Sequence, residues 1–235
     1  MRERKRAGSG AFERTWLTID GAFDRLGPNR PDFFEVPEEL ARLVIERYTE
    51  PEDIVLDPYA GFGSIVVAAQ NLGRTAIAIE QELEKVRALS NRLNPPSRVI
   101  QGEFKTGAES DLPKVDLVYT SPPNTTFGGW DDEIGFVTYW AEFDRLFDRL
   151  SHVLKPSGTL VFEASNQREG SSIRPLAFEA AIRLSQNYLF SEEYVRCNTG
   201  DTYAATHSYH THLFVFRNTR SRKRKIEDVS VGEYL

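Results

Sequence analysis

The chain has 235 residues, 40% hydrophobic and 27% charged, with a net charge of −6, which suits one globular domain with a sizeable core. Its single cysteine, Cys197, excludes an internal disulfide and argues against a cysteine-ligated zinc site. No apolar run is long enough to cross a bilayer and no signal core follows the basic start, so a soluble, cytoplasmic protein is expected.

Charge is unevenly spread. Arg2, Arg4, Lys5 and Arg6 make the start basic, Arg217 to Lys225 make the end basic, and the body between them is acidic. Such ends suit phosphate contacts, or simply solvate the termini. The expected organisation is a disordered basic segment 1–11, one domain over 12–217, and a flexible basic tail over 218–235.

From Asp32 the pattern becomes readable. Phe33 and Phe34 precede an amphipathic helix, Pro37 to Tyr48, with Leu40, Leu43 and Val44 on one face and Glu38 and Glu39 at its positive end. The two phenylalanines either staple that helix or cover a flat ring. Next comes a hydrophobic strand, Ile54 to Leu56, running into Asp57-Pro58-Tyr59-Ala60-Gly61-Phe62-Gly63-Ser64 and then the apolar helix Ile65 to Gln70. Gly61 and Gly63 allow a tight turn and close backbone approach to a ligand. The loop lacks the third glycine of a dinucleotide fingerprint and the Lys-Ser/Thr of a phosphate loop, so it supports neither NAD nor ATP.

A strand from Thr75 to Glu80 follows and ends in an acid placed to accept ribose hydroxyls. After the helix Glu82–Leu89, the strand Arg98–Gln101 leads into Gly102-Glu103. The fourth strand starts at Val115, carries Ser121 at its end and stops at Pro122-Pro123-Asn124, where the prolines forbid further pairing and hold a stiff loop. Parallel strands bring Asp57, Glu80, Glu103 and Ser121 to one edge of a sheet. Three carboxylates there disfavour a polyphosphate. They favour a ligand with hydroxyls, an amine and positive charge, such as S-adenosylmethionine.

In these motifs the chain resembles the amino-methyltransferases of the DNA cytosine-N4 and adenine-N6 family. Asp57 to Ser64 is similar to the family's cofactor loop, D-P-F-x-G-x-G-T, and Thr120 to Asn124 to its catalytic loop, [DNS]-P-P-[YFW]. The stretch Ser151 to Phe162 and the closing strand Thr211 to Arg217 extend the likeness over roughly residues 32 to 217. The fold implied is α/β: a Rossmann-like, doubly wound, mostly parallel seven-stranded sheet with an antiparallel closing strand. The resemblance implies S-adenosyl-L-methionine as cofactor. Asp57, Gly61 and Gly63 would hold its amino acid part, Glu80 its ribose and Glu103 its adenine, with Tyr59, Ser64 and Gln81 as further cofactor-binding residues and Phe33 and Phe34 closing over it.

The chemistry implied is methyl transfer to the exocyclic amine of a nucleobase in DNA or RNA. That nitrogen is a poor nucleophile, and acceptors such as Ser121 Oγ and the Pro122 carbonyl would bind its hydrogens and aim it. Ser121, Pro122, Pro123 and Asn124 form the expected catalytic loop. Serine before Pro-Pro resembles the cytosine-N4 enzymes; adenine-N6 and protein glutamine-amide transfer are the alternatives, and an inactive nucleic-acid-binding module is the reading from another class. Asn124 departs from the family's stacking aromatic, a role open to Phe127 or Trp130. His210 and His212 alternate onto one strand face near His207; His210 is a candidate substrate contact, and no metal site is expected.

Overall fold

The computed structural model describes residues 16–19, 36–104, 111–122, 133–169, 171–198 and 210–219. Phe33, Phe34, Pro123, Asn124, Phe127 and Trp130 lie outside these, as do the basic segment 1–11 and nearly all of the tail 218–235.

The elements follow one another as β1 (Trp16–Ile19), α1 (Glu38–Tyr48), β2 (Ile54–Asp57), α2 (Ser64–Asn71), β3 (Thr75–Glu80), α3 (Leu83–Ser90), β4 (Arg98–Gln101) and β5 (Val115–Thr120). Then come α4 (Glu133–Val153), β6 (Leu154–Ala164), β7 (Gln167–Glu169), β8 (Ser172–Arg174), α5 (Leu176–Leu184), β9 (Tyr188–Asn198) and β10 (His210–Asn218). β7 and β8 pair as a separate hairpin, and the other strands form one sheet in the order β1-β9-β10-β6-β5-β2-β3-β4. Only β10 is antiparallel to its neighbours. The seven strands expected are thus present with their antiparallel strand, and β1 adds an eighth, parallel to β9 at the sheet's margin.

Local chemistry accounts for the elements. β2, β3 and β5 are short runs of Val, Ile, Leu and Ala buried on both sides, as parallel strands between two helical layers must be. Alternation divides their side chains. Val55, Ala76, Ala78, Leu117 and Tyr119 pack with α1 and α2, while Leu56, Ile77, Ile79 and Val118 pack with α4 and α5. α1 starts after Pro37, carries Glu38 and Glu39 in its first turn, and buries Leu40, Ala41, Val44, Ile45 and Tyr48 on one face. Small Ala76 and Ala78 let α1 and α2 approach that side of the sheet closely.

The strand order fixes where a ligand can bind. From β2 the chain builds outward through β3 to β4, and from β5 it builds the other way through β6, so the β2–β5 border is a topological switch point. The helices that follow these two strands, α2 and α4, pack in different core clusters on opposite faces of the sheet, the arrangement that opens a ligand crevice at a switch point. The β2–β5 ladder is short, pairing Val55 with Leu117 and Leu56 with Val118. No helix among the described residues is long and apolar enough to cross a membrane.

Candidate active site

Asp57 ends β2 beside that crevice with 2% of its surface exposed. Its Oδ1 accepts the Tyr59 amide hydrogen at 3.0 Å and the Thr120 hydroxyl hydrogen at 3.0 Å, while Oδ2 takes no hydrogen bond from the described residues. Burial pushes the Asp57 carboxyl up to about 7, and the nearby Glu80 charge adds to the rise; the Tyr59 amide and the Thr120 hydroxyl oppose it. The site therefore holds a desolvated acid with one oxygen left for a donor.

The loop after Asp57 is pinned to the neighbouring strand. The Ala60 amide donates to the Ile79 carbonyl at 3.1 Å and the Gly63 amide to the Ala60 carbonyl at 2.8 Å. Gly61 and Gly63 both have left-handed backbone, at φ +55° and +90°. Their surroundings differ: a Cβ on Gly63 would lie 2.1 Å from Leu89 Cδ2, whereas a Cβ on Gly61 would meet nothing within 4 Å. Gly63 serves packing, letting α2 begin at Ser64 against α3. Gly61 faces open space, as a backbone segment meeting a ligand should.

Glu80, at the end of β3, is buried and accepts the Gly61 amide on Oε2 at 2.9 Å and the Glu82 amide on Oε1 at 2.8 Å. Each oxygen keeps a further lone pair for a hydroxyl. The carboxylate expected to bind ribose thus also shapes the glycine loop. Gln81 is exposed beside it, and the Gly102 amide bonds the Glu80 carbonyl at 2.9 Å, which joins the β3 and β4 ends. Glu103 is exposed just beyond. The Tyr59 ring is 39% exposed, yet desolvation of its hydroxyl together with the charges of Glu103 and of Glu142 on α4 pushes its pKa up to about 12.

Across the switch point, Tyr119 and Thr120 are fully buried, and Ser121 and Pro122 are half-buried where the chain leaves β5. Asp57, Glu80, Gly61, Ser121 and Pro122 therefore lie at one edge of the sheet, around its switch point. His210 does not join them. It begins β10 on the same edge, but β6 intervenes, and its ring lies 5.1 Å from that of His212, which pairs through Nδ1 with Glu193 at 3.0 Å and stacks on Phe214. Thr120 is the site residue that sequence reading passed over, although a polar residue closing a buried strand is a signal in itself.

The donor set fits S-adenosylmethionine: an open glycine backbone, a buried carboxylate with one oxygen unused, and a second carboxylate with lone pairs available. Oxygen acceptors suit a ligand that offers an ammonium and hydroxyls.

Residues 9–91, which carry the Asp57–Ser64 loop and Glu80 but not Ser121 and Pro122, match the DNA methylase family model. Over 73 residues the chain is 42% identical to the putative methylase YubD of Escherichia coli, covering 31% of this chain and 32% of that protein. Over 66 residues it is 36% identical to the type II methyltransferase M2.MboI of Moraxella bovis, covering 28% of this chain and 24% of that one. The chain thus spans about a third or less of the length of these curated relatives. Among solved structures, TrmN from Thermus thermophilus superposes with a TM-score of 0.56 at 16% identity over 78% of this chain and 49% of that one, a likeness of fold. Over the stretch that builds β2, β3 and the glycine loop, the chain is thus similar to the DNA methylase family.

Proposed function

We propose that this protein is an S-adenosylmethionine-dependent methyltransferase acting on the exocyclic amine of a nucleobase, cytosine N4 in DNA foremost. The observation that carries the reading is the crevice at the switch point. There β2 ends at Asp57, bonded to Thr120 at the end of β5, and the chain goes on to Ser121 and Pro122, which supports reading the two loops as halves of one site. The matched family model, described as DNA methylase, favours DNA over RNA as the partner, and serine before Pro-Pro favours cytosine.

When bound, the cofactor supplies a methyl group on a sulfonium centre. Asp57 Oδ2 would accept from the ammonium, Glu80 from the ribose hydroxyls and Glu103 from the adenine amine, and the Gly61 backbone would let the ligand lie close. On the other side, Ser121 Oγ and the Pro122 carbonyl accept the hydrogens of the target amine. They draw its lone pair out of conjugation and aim it along the line of attack. Positioning and electrostatics suffice, and no protein group needs to form a covalent bond.

The test is calorimetry with S-adenosylmethionine followed by mass spectrometry of nucleosides from DNA and RNA incubated with the protein. N4-methylcytosine in DNA is the expected product. N6-methyladenine would reassign the base, product in RNA alone would reassign the polymer, and cofactor binding without any methylated base would overturn the enzymatic reading.

A further inference from the structure

Where the β2–β5 ladder ends, after Leu56 and Val118, the next link between the two strands is a side-chain bond. The Thr120 hydroxyl donates to Asp57 Oδ1 at 3.0 Å, between a residue with no exposed surface and one 2% exposed. A buried threonine can satisfy its hydroxyl on a nearby backbone carbonyl. Here it reaches instead to the carboxylate of the neighbouring strand, whose same oxygen also receives the Tyr59 amide. Two donors on Oδ1 fix the carboxyl plane and leave Oδ2 as the free acceptor.

The other side of β5 is tied as well. Tyr119 lies with its hydroxyl 3.4 Å from Glu163 Oε2, and Glu163 Oε1 accepts from Arg196 at 2.7 Å in a pair only 2% and 6% exposed. Backbone pairing of Thr120 with Phe162 completes the grip. The two residues directly before Ser121 are therefore held from both neighbouring strands.

We propose that Thr120 is a positioning residue that couples the two halves of the site, its hydroxyl setting both the carboxylate that seats the cofactor ammonium and the take-off of the amine-acceptor loop. The inference rests on the methyltransferase reading for the identity of the two halves, while the bond itself does not. Burial and the Glu80 charge from β3 push the Asp57 carboxyl up, while the Tyr59 amide and the Thr120 hydroxyl oppose them by favouring the carboxylate; the Tyr119 hydroxyl of β5 feels the Asp57 charge in turn. Removing the Thr120 hydroxyl leaves Asp57 harder to ionise.

Carboxyl-carbon NMR titration of ligand-free protein tests this directly. The Asp57 midpoint is expected to move upward by about one to two pH units in Thr120→Val, since a hydrogen bond to a charged group is worth about that much, and to stay near the wild-type value in Thr120→Ser. If Thr120→Val does not fold, Thr120→Ala gives the same comparison. At saturating S-adenosylmethionine and a pH above the shifted midpoint, Thr120→Val is expected to lose about tenfold or more in kcat, with Thr120→Ser restoring it. An unmoved midpoint in the folded variants overturns the bond's role, and a moved midpoint with unchanged kcat overturns the coupling to the acceptor loop. Failure of wild-type protein to bind S-adenosylmethionine would instead sink the methyltransferase reading and leave the midpoint result standing.

Discussion

Alanine at Gly61 and at Gly63 is expected to produce opposite defects, although the two positions are two residues apart in one loop. At Gly63, φ is +90°, and the new methyl would sit 2.1 Å from Leu89 Cδ2 and 3.1 Å from Val66 Cγ2, with Leu89 fully buried and unable to swing into solvent. Left-handed backbone costs a non-glycine residue about 1–2 kcal/mol, and overpacking a core typically costs about 1–3 kcal/mol, so Gly63→Ala should lose about 2–5 kcal/mol. For a chain of this size that lowers Tm by roughly 5–15 °C. At Gly61, φ is +55° and the methyl enters open space, so only the backbone term of about 1 kcal/mol applies to folding. The same methyl stands where a ligand must approach, and cofactor affinity should fall by about tenfold or more. Urea unfolding and calorimetry on both variants separate the effects. A double variant, Gly63→Ala with Leu89→Ala, should be less damaged than the two single losses added together, because the clash disappears. Unaltered stability in Gly63→Ala, or unaltered cofactor affinity in Gly61→Ala, would refute this assignment of packing to one glycine and ligand approach to the other.

Asp57 makes stability depend on pH. Its folded pKa, about 7, stands above the ordinary 3.8, so the folded state holds a proton that the unfolded state has released, and ligand-free stability should fall as pH rises from about 4 to 7, by about 4 kcal/mol. Asp57→Asn should flatten that slope and be the more stable protein at pH 8 while failing to bind cofactor; a slope equal to wild type would show that Asp57 is not its source. Breaking the buried Arg196–Glu163 pair by Arg196→Met should cost about 3–5 kcal/mol in urea unfolding, and adding Glu163→Met should recover most of it; no recovery would mean that the loss is not an uncompensated charge. Ser121→Ala should keep cofactor affinity in calorimetry and lose about a hundredfold or more in kcat, whereas Glu80→Ala should abolish binding and also loosen the loop through the lost Gly61 amide bond; equal turnover in Ser121→Ala would remove that hydroxyl from the reaction.

The parts of the fold legible in the sequence are those in which one residue suffers one dominant constraint. β3 reads correctly to the residue and β5 to within about a residue of its end, because continuous apolar runs end in a charge or at proline. The glycine loop is legible because left-handed backbone leaves few alternatives to glycine. β9 is not, since Glu192, Glu193 and Arg196 interrupt its pattern, and their acceptability depends on Arg47, His212 and Glu163 from distant elements. β1 is four residues long, too short to display a period, and owes its place to pairing with β9. The same limit applied within the site. Asp57 and Glu80 are signalled by strand ends, but that Glu80 supports Gly61 and that Thr120 grips Asp57 are facts of register across strands, 19 and 63 residues apart.

Those two bonds also explain why burying so much acid is tolerable. Every donor offered to Asp57 and Glu80 by the described residues is a backbone amide or a hydroxyl: Tyr59 and Thr120 for one, Gly61 and Glu82 for the other. Such donors orient a carboxylate without neutralising it. An arginine or lysine in their place would stabilise the ligand-free protein and pre-empt the site, because a cationic ligand would then have to displace it. With neutral donors, Asp57 stays poorly ionised until a positive group arrives, and the free energy that burial costs the empty fold is returned as affinity for that charge. The arrangement also discriminates: a ligand lacking the ammonium leaves Asp57 protonated and gains nothing from it, so selection for a cationic amino acid group is built into the same burial that makes the free protein pH-sensitive.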